Sequence, residues 1–432
     1  MISNKIKNGL IGNPSIPGDK SISHRSIIIP SISNGITNIY NILKSEDVYH
    51  TLNAFKNMGV QIEEDQEKVI IYGKGLNSLK KPTTDIYLGN SGTSARLLTG
   101  LLASQNFESK LTGDKSLSSR PMKRITEPLS KMSALIDTTN GSLPLSIKGN
   151  KLNNATLEIK LPSAQIKSGL ILAALNTDGQ TKIIENNITR DHTEIMLEAF
   201  GADIKIEKLQ NQKIIKINGK KELVPKNIEV PSDLSSSAFF IVGALINENS
   251  QLKISNVNIN PTRNGILIAL KKMGAKINLL NRRFLNNEEI CDIEVFYSKL
   301  NGCELSPEIA KLMIDEYPIL SIAACFANSP SIFRGLGELR VKESDRLNLI
   351  ITNLKKCGVL CKVNEDDLYI YPSDNYKINS TNIQTDYDHR IAMAFSIMGT
   401  KLGGLNILDS DSINTSFPSF IKEFNKVGGR LT

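Results

Sequence analysis

The sequence predicts an α/β (α+β) protein built from six related modules, and three observations carry that prediction. An amphipathic helix followed by a glycine or serine turn and a strand recurs six times, at intervals of 74, 68, 73, 84 and 70 residues. Each recurrence is preceded by a second helix start, where small polar or charged residues lead into a run of Ala, Leu, Ile and Gly. Strand-like runs such as KVIIYG, QKIIKING and DLYIYP lie between the helices. A period near seventy is long for a solenoid, so each repeat reads as a small α/β module of its own.

The recurring helix–turn–strand segments read HTLNAFKNMGVQI, MKRITEPLSKMSALI, HTEIMLEAFGADIKI, RNGILIALKKMGAKI, RLNLIITNLKKCGVLC and FIKEFNKVGGRL. In the first, Leu52, Phe55 and Met58 step along one face at helical spacing. The turn residues are Gly59, Ser133, Gly201, Gly274, Gly358 and Gly428. A helix that ends in a left-handed residue favours glycine there.

The second helix starts, in order, read PGDKSISHRSIII, GNSGTSARLLTGLLA, LPSAQIKSGLILAAL, VPSDLSSSAFFIVGALI, MIDEYPILSIAACFA and TDYDHRIAMAFSIMG. Their polar residues are expected to cap exposed backbone N–H groups, and the apolar runs behind them to be buried helices. A helix N-terminus favours anions. Lys20, Arg25, Arg120, Lys167, Arg190, Lys342, Arg346 and Arg390 all stand in or beside these starts. Taken singly, each could be an ordinary surface cation; as a set they point to a polyanionic ligand.

Composition narrows the function. The chain has 432 residues, room for two or three domains at roughly 150 residues each, and a net charge of +8. No stretch approaches the roughly 18 apolar residues of a membrane span. The first twenty residues lack the apolar core of a signal peptide, so the protein is expected to be cytoplasmic. Five cysteines form no CxxC pair and four histidines show no metal-ligand spacing. Reduced thiols and no bound metal are expected. Tryptophan is absent and aromatics make up 5 %, too few for the stacking platforms of a nucleic-acid binder.

The motifs PGDKSISHR (17–25), LGNSGTSARL (88–97), SSRPM (118–122), PSAQIKS (162–168), ITRDHTE (188–194), MIDEYP (313–318), LRVKESDR (339–346) and DHRIAM (388–393) together resemble the 3-phosphoshikimate 1-carboxyvinyltransferases, the EPSP synthases. The resemblance runs in order over nearly the whole chain. It implies transfer of the enolpyruvyl group of phosphoenolpyruvate to the 5-hydroxyl of shikimate 3-phosphate, with release of phosphate, in the shikimate pathway of aromatic amino-acid biosynthesis. Two phosphates and two carboxylates would then meet the cationic helix starts. No cofactor, nucleic acid or membrane is implied, and the family's usual state is a monomer.

The similarity also implies roles for individual residues. Lys20, Ser21, Arg25, Ser163, Gln165, Arg190, Asp315 and Lys342 are expected to hold shikimate 3-phosphate. Lys20, Gly92, Arg120, Gln165, Arg346 and Arg390 are expected to hold phosphoenolpyruvate, the last two gripping its carboxylate with planar forks. Asp315 is expected to act as base at the 5-hydroxyl, and Glu343, helped by Lys20, to protonate the methylene carbon. His24 and His389 read as packing or supporting residues. A lysine common in the family before the C-terminal Ser/Thr-Phe-Pro is replaced by Thr415, and Lys167 is a candidate to take over that lysine's hold on the phosphate of phosphoenolpyruvate. Ala164 replaces a serine found in many relatives. Gly92 leaves room that an alanine methyl would fill, so glyphosate is expected to enter.

The resemblance further implies the enolpyruvyl transferase fold: two domains of three βαβαββ-type modules, with a cleft between them. The expected domains are residues 15–228, and residues 1–14 with 229–432, joined by hinges near 12–19 and 226–232. Pro14, Pro17, Pro225 and Pro231 suit such hinges. Three rivals fare worse. The sister transferase acting on UDP-N-acetylglucosamine uses a reactive cysteine, but no cysteine precedes Cys291. An RNA-end-processing enzyme would need a histidine motif that is missing. A non-catalytic anion binder would gain nothing from Asp315 and Glu343.

Overall fold

Six small sheets, five of four strands and one of three, follow the six repeats in the computed structural model, which describes residues 1–210, 212–373, 376 and 380–432. The second module shows the plan. Strand Ile86–Tyr87 leads into the helix Gly92–Ala103 and returns as strand Glu108–Thr112, parallel to the first. A second helix, Lys123–Ser130, then feeds the antiparallel strands Leu135–Thr139 and Ser142–Lys148. A parallel pair needs a crossover, and the buried helix supplies it.

Three modules complete their sheets with strands from elsewhere in the chain, the sixth by pairing Leu405–Ile407 antiparallel with Ile2–Ser3. Strand Asn34–Tyr40 pairs in parallel with Ile228–Glu229, and Gln251–Asn258 pairs in parallel with Ile11–Gly12. The chain divides into two compact units. One comprises Met1–Pro17, Pro231–Phe284 and Glu289–Thr432; the other comprises Gly18–Val230 with Leu285–Glu288. Each unit encloses its own apolar core. That of the first includes a knot of Phe240, Phe417, Phe420 and Phe424 with ring centroids 5.4–5.9 Å apart.

The repeat signature has a backbone cause. All six turn residues are left-handed, with φ of 83° at Gly59, 67° at Ser133, 79° at Gly201, 82° at Gly274, 77° at Gly358 and 109° at Gly428. After the sixth turn the expected strand shrinks to one bridge between Leu431 and Ser3.

Five of the six buried helices start as the sequence predicts. Asp19, Ser91, Ser163, Asp233 and Asp388 each accept a hydrogen bond from a backbone N–H of the first turn of their own helix. The helix Tyr317–Cys325 departs from the pattern. Glu316 stands at its cap position but gives it no side-chain hydrogen bond, and Pro318 lies at its start, where a missing N–H costs nothing.

Candidate functional site

The expected residues form two sets, one in each unit. In the unit built on residues 18–230, the helices Gly92–Ala103 and Ala164–Ala174 pack backbone to backbone. A Cβ at Gly100 would collide with the carbonyl of Gly169, and a Cβ at Gly169 would come within 2.6 Å of the carbonyl of Arg96. This close approach brings the two polar helix starts together. The Oε1 of Gln165 accepts from Arg96 Nη1 at 2.6 Å, and its Nε2 donates to Thr93 Oγ1 at 3.0 Å. Gln165 thus has a fixed amide orientation. Ser163 caps its helix through Ile166 N–H at 3.4 Å.

Gly92 has a steric reason to be glycine. A Cβ there would stand 2.9 Å from Nη1 of both Arg120 and Arg96, so two guanidinium groups converge over one helix start. Arg120 is buried and donates through Nη2 to Asn90 Oδ1 and to Ser116 Oγ, the latter at 3.2 Å. Sequence reasoning missed Arg96, Thr93 and Asn90, although all three lie inside LGNSGTSARL.

The helix Lys20–Ser31 supplies the other cations of this set. Lys20 Nζ lies 2.5 Å from Asp47 Oδ2. Arg25 is 3 % exposed and held at three points: Nε donates to Thr193 Oγ1 at 2.6 Å, Nη1 to the carbonyl of Ser21 at 2.7 Å, and Nη2 to Ser168 Oγ at 2.8 Å. Burial pushes its pKa down to about 10, and the nearby charge of Arg190 acts in the same direction, while Glu194, Asp19 and Glu288 oppose them. His24 is buried, with Nδ1 2.8 Å from Thr51 Oγ1. Burial, then Lys20 and Arg25, push its pKa well below the usual value, which keeps it neutral. It supports the helix start.

Lys167 corrects an expectation. Its amine does not replace the lysine that the family carries at the position of Thr415, because it is fully buried and already committed. It lies 2.9 Å from Glu194 Oε1 and 3.2 Å from Glu185 Oε2, and donates to the carbonyl of Thr189 at 3.1 Å. Lys213 closes the cluster, 2.9 Å from Glu194 and 3.3 Å from Glu185. Burial opposes the charge of Glu194, but the two lysines outweigh it and hold its pKa below the usual range.

In the other unit, Arg346 gathers the expected acid–base residues. It is completely buried, and its three nitrogens reach three carboxylates: Nε to Asp388 Oδ2 at 2.8 Å, Nη1 to Asp315 Oδ1 at 3.1 Å, and Nη2 to Glu343 Oε2 at 2.5 Å. Burial works against its charge, but Asp388, Glu343 and Asp315 outweigh it and raise its pKa. Lys342 Nζ lies 3.4 Å from Asp315 Oδ1. Three carboxylates thus gather on one guanidinium, with Lys342 beside one of them. Asp388, which sequence reasoning did not single out, joins this cluster: it caps its helix and also accepts from Ser344 Oγ at 3.0 Å.

Arg390 donates through Nη1 to the carbonyl of Asp315 at 3.2 Å and lies 3.6 Å from Glu316 Oε1. Thr415 Oγ1 is 3.3 Å from His389 Nδ1 and donates to the carbonyl of Ser412 at 2.8 Å. Among the described residues, no group of three or more His, Cys, Asp or Glu side chains is arranged to hold a metal ion. No helix among them is long and apolar enough to cross a membrane.

Comparison with known proteins agrees with the motif resemblance. Residues 5–424 match the family model for EPSP synthase (3-phosphoshikimate 1-carboxyvinyltransferase). The chain is 45 % identical over 426 residues to the 3-phosphoshikimate 1-carboxyvinyltransferase of Ruthia magnifica subsp. Calyptogena magnifica, covering 98 % of this chain and 97 % of that one. It is 44 % identical over 425 residues to the one from Geobacter metallireducens, covering 98 % of each. Among solved structures, an EPSP synthase from Acinetobacter baumannii superposes with a TM-score of 0.86 at 42 % identity, covering 99 % of this chain and 98 % of that one. The enolpyruvyl transferase NikO from Streptomyces tendae shares the fold, with a TM-score of 0.79 at 16 % identity, covering 99 % of this chain and 97 % of that one.

Proposed function

The chain belongs to the 3-phosphoshikimate 1-carboxyvinyltransferase (EPSP synthase) family, and from that premise we propose how its residues divide the work. The reaction transfers the enolpyruvyl group of phosphoenolpyruvate to the 5-hydroxyl of shikimate 3-phosphate and releases phosphate. In our reading Lys20, Ser21, Arg25, Ser163, Gln165, Arg190, Asp315 and Lys342 hold shikimate 3-phosphate. Lys20, Gly92, Arg120, Gln165, Arg346 and Arg390 hold phosphoenolpyruvate. The three bonds on Arg25 support its part, because they leave a guanidinium in fixed orientation with one N–H on each Nη for a phosphate oxygen.

The proton transfers carry the mechanism. The oxygen of the 5-hydroxyl attacks C2 of phosphoenolpyruvate, its proton passes to Asp315, and C3 gains a proton from Glu343. The tetrahedral adduct then returns one C3 proton as its C–O bond to phosphate breaks, which restores the double bond. The observation that carries this assignment is the single buried guanidinium of Arg346 shared by Asp315 and Glu343. One guanidinium fixes both carboxylates in orientation, so the proposed base and the proposed acid keep a set geometry to each other. In this reading Glu343 carries the proton that C3 receives, and Asp315 accepts the one that leaves the hydroxyl.

Asp315→Asn and Glu343→Gln test the assignment by steady-state kinetics. Each is expected to lower kcat about 10²–10⁴-fold, the usual scale of general acid–base help, with KM for phosphoenolpyruvate changed only about threefold. Near-normal kcat in either variant would contradict the role given to that carboxylate. The reading also includes a monomer acting in the cytoplasm, where the five buried thiols stay reduced.

A further inference from the structure

Glu316 adjoins the proposed base and takes no part in the proton transfers, yet it is 1 % exposed. Burying a carboxylate is costly unless opposite charge and hydrogen bonds answer it. It stands at the start of the helix Tyr317–Cys325 without capping it, so its own helix does not explain it. Its Oε1 instead accepts the hydroxyl proton of Ser235 and faces Arg390 Nη1 at 3.6 Å. Ser235 Oγ in turn accepts from Arg263 Nη2 at 2.7 Å, and the same nitrogen donates to Asp233 Oδ1 at 2.8 Å. Arg263 is itself 2 % exposed, which makes this chain of contacts a buried and rigid support.

The geometry at Arg390 gives the support a purpose. Nη1 is engaged twice from one short turn, Ile314–Glu316: by the carbonyl of Asp315 at 3.2 Å and by the carboxylate of Glu316. A guanidinium fixed at one Nη presents its remaining edge, Nε with the other Nη, as a fork for a carboxylate. We propose that Glu316, braced by Ser235 and Arg263, is a positioning residue that aims this fork of Arg390 at the carboxylate of phosphoenolpyruvate. The turn that carries the base therefore also sets the direction of the arginine. This inference rests on the reading of Arg390 given above.

Kinetics of the full chain separate the possibilities. Glu316→Gln keeps the shape and removes the charge. It is expected to raise KM for phosphoenolpyruvate about tenfold, the scale of one charge-assisted contact. KM for shikimate 3-phosphate and kcat should stay within about twofold. Ser235→Ala, which removes the brace, is expected to shift the same constant in the same direction by a smaller factor. Arg390→Lys serves as the reference, because it keeps the charge and removes the fork. If Arg390→Lys raises KM for phosphoenolpyruvate and Glu316→Gln does not, positioning by Glu316 is overturned and the role of Arg390 stands. Equal rises in both KM values with a fall in kcat would mark Glu316 as structural and overturn it too. An Arg390→Lys enzyme with unchanged KM would remove the reading of Arg390 and this inference with it. Should Glu316→Gln fail to fold, Ser235→Ala is judged by the same criteria.

Discussion

One absent methyl group shapes the start of the helix Gly92–Ala103. A Cβ at Gly92 would stand 2.9 Å from the tips of Arg120 and Arg96. Both are ends of flexible side chains, so Gly92→Ala should fold normally and push the two guanidinium groups outward. The expected result is a rise of about tenfold in KM for phosphoenolpyruvate, with a thermal midpoint within about 2 °C of the wild type. Steady-state kinetics and a melting curve check both halves. At this scale the sequence singles out Gly92 and Arg120 through the family motifs they stand in, and the structure places them side by side. Arg96 was hidden by its position one turn into an apolar helix, where an arginine reads as a solvated side chain. Its partner Gln165 lies 69 residues away, and only the crossing of two helices at Gly100 and Gly169 brings them into contact.

Helix starts were the most legible elements, because the cap and the left-handed turn are local requirements of the backbone. Five caps formed, and all six turn residues adopted positive φ, Ser133 included. The departure at Glu316 came from tertiary demand: its carboxylate answers Ser235 and Arg390 instead of its own helix. Lys167 was misread for a related reason. It sits four residues past the cap Ser163, on the inner face of the helix Ala164–Ala174, and the strands behind that helix supply Glu185 and Lys213. A sequence shows that a lysine adjoins a polar start, but not which way it turns. The resulting cluster of two lysines and two glutamates predicts a stability effect. Glu194→Gln leaves two buried ammonium groups facing one carboxylate, and should destabilise the protein by about 3 kcal/mol. Urea unfolding reads this directly; a loss below about 1 kcal/mol would mean that the cluster relaxes or admits water.

For the molecule as a whole, repetition governs what could be read. The six modules were visible because the helix–turn–strand signature recurs near every seventy residues. The three borrowed strands, Ile2–Ser3, Ile11–Gly12 and Ile228–Glu229, were not. Each is two residues long, too short for any periodicity, and its partner lies far away in the sequence. In the proposed reading these repeats carry an enolpyruvyl transfer specific for shikimate 3-phosphate. Inorganic phosphate release from phosphoenolpyruvate, measured with shikimate 3-phosphate, with UDP-N-acetylglucosamine, or with neither, tests it most directly. Release with shikimate 3-phosphate and with no other addition is the expected result. Release with the UDP-sugar, or none from folded protein under any of the three conditions, would contradict it.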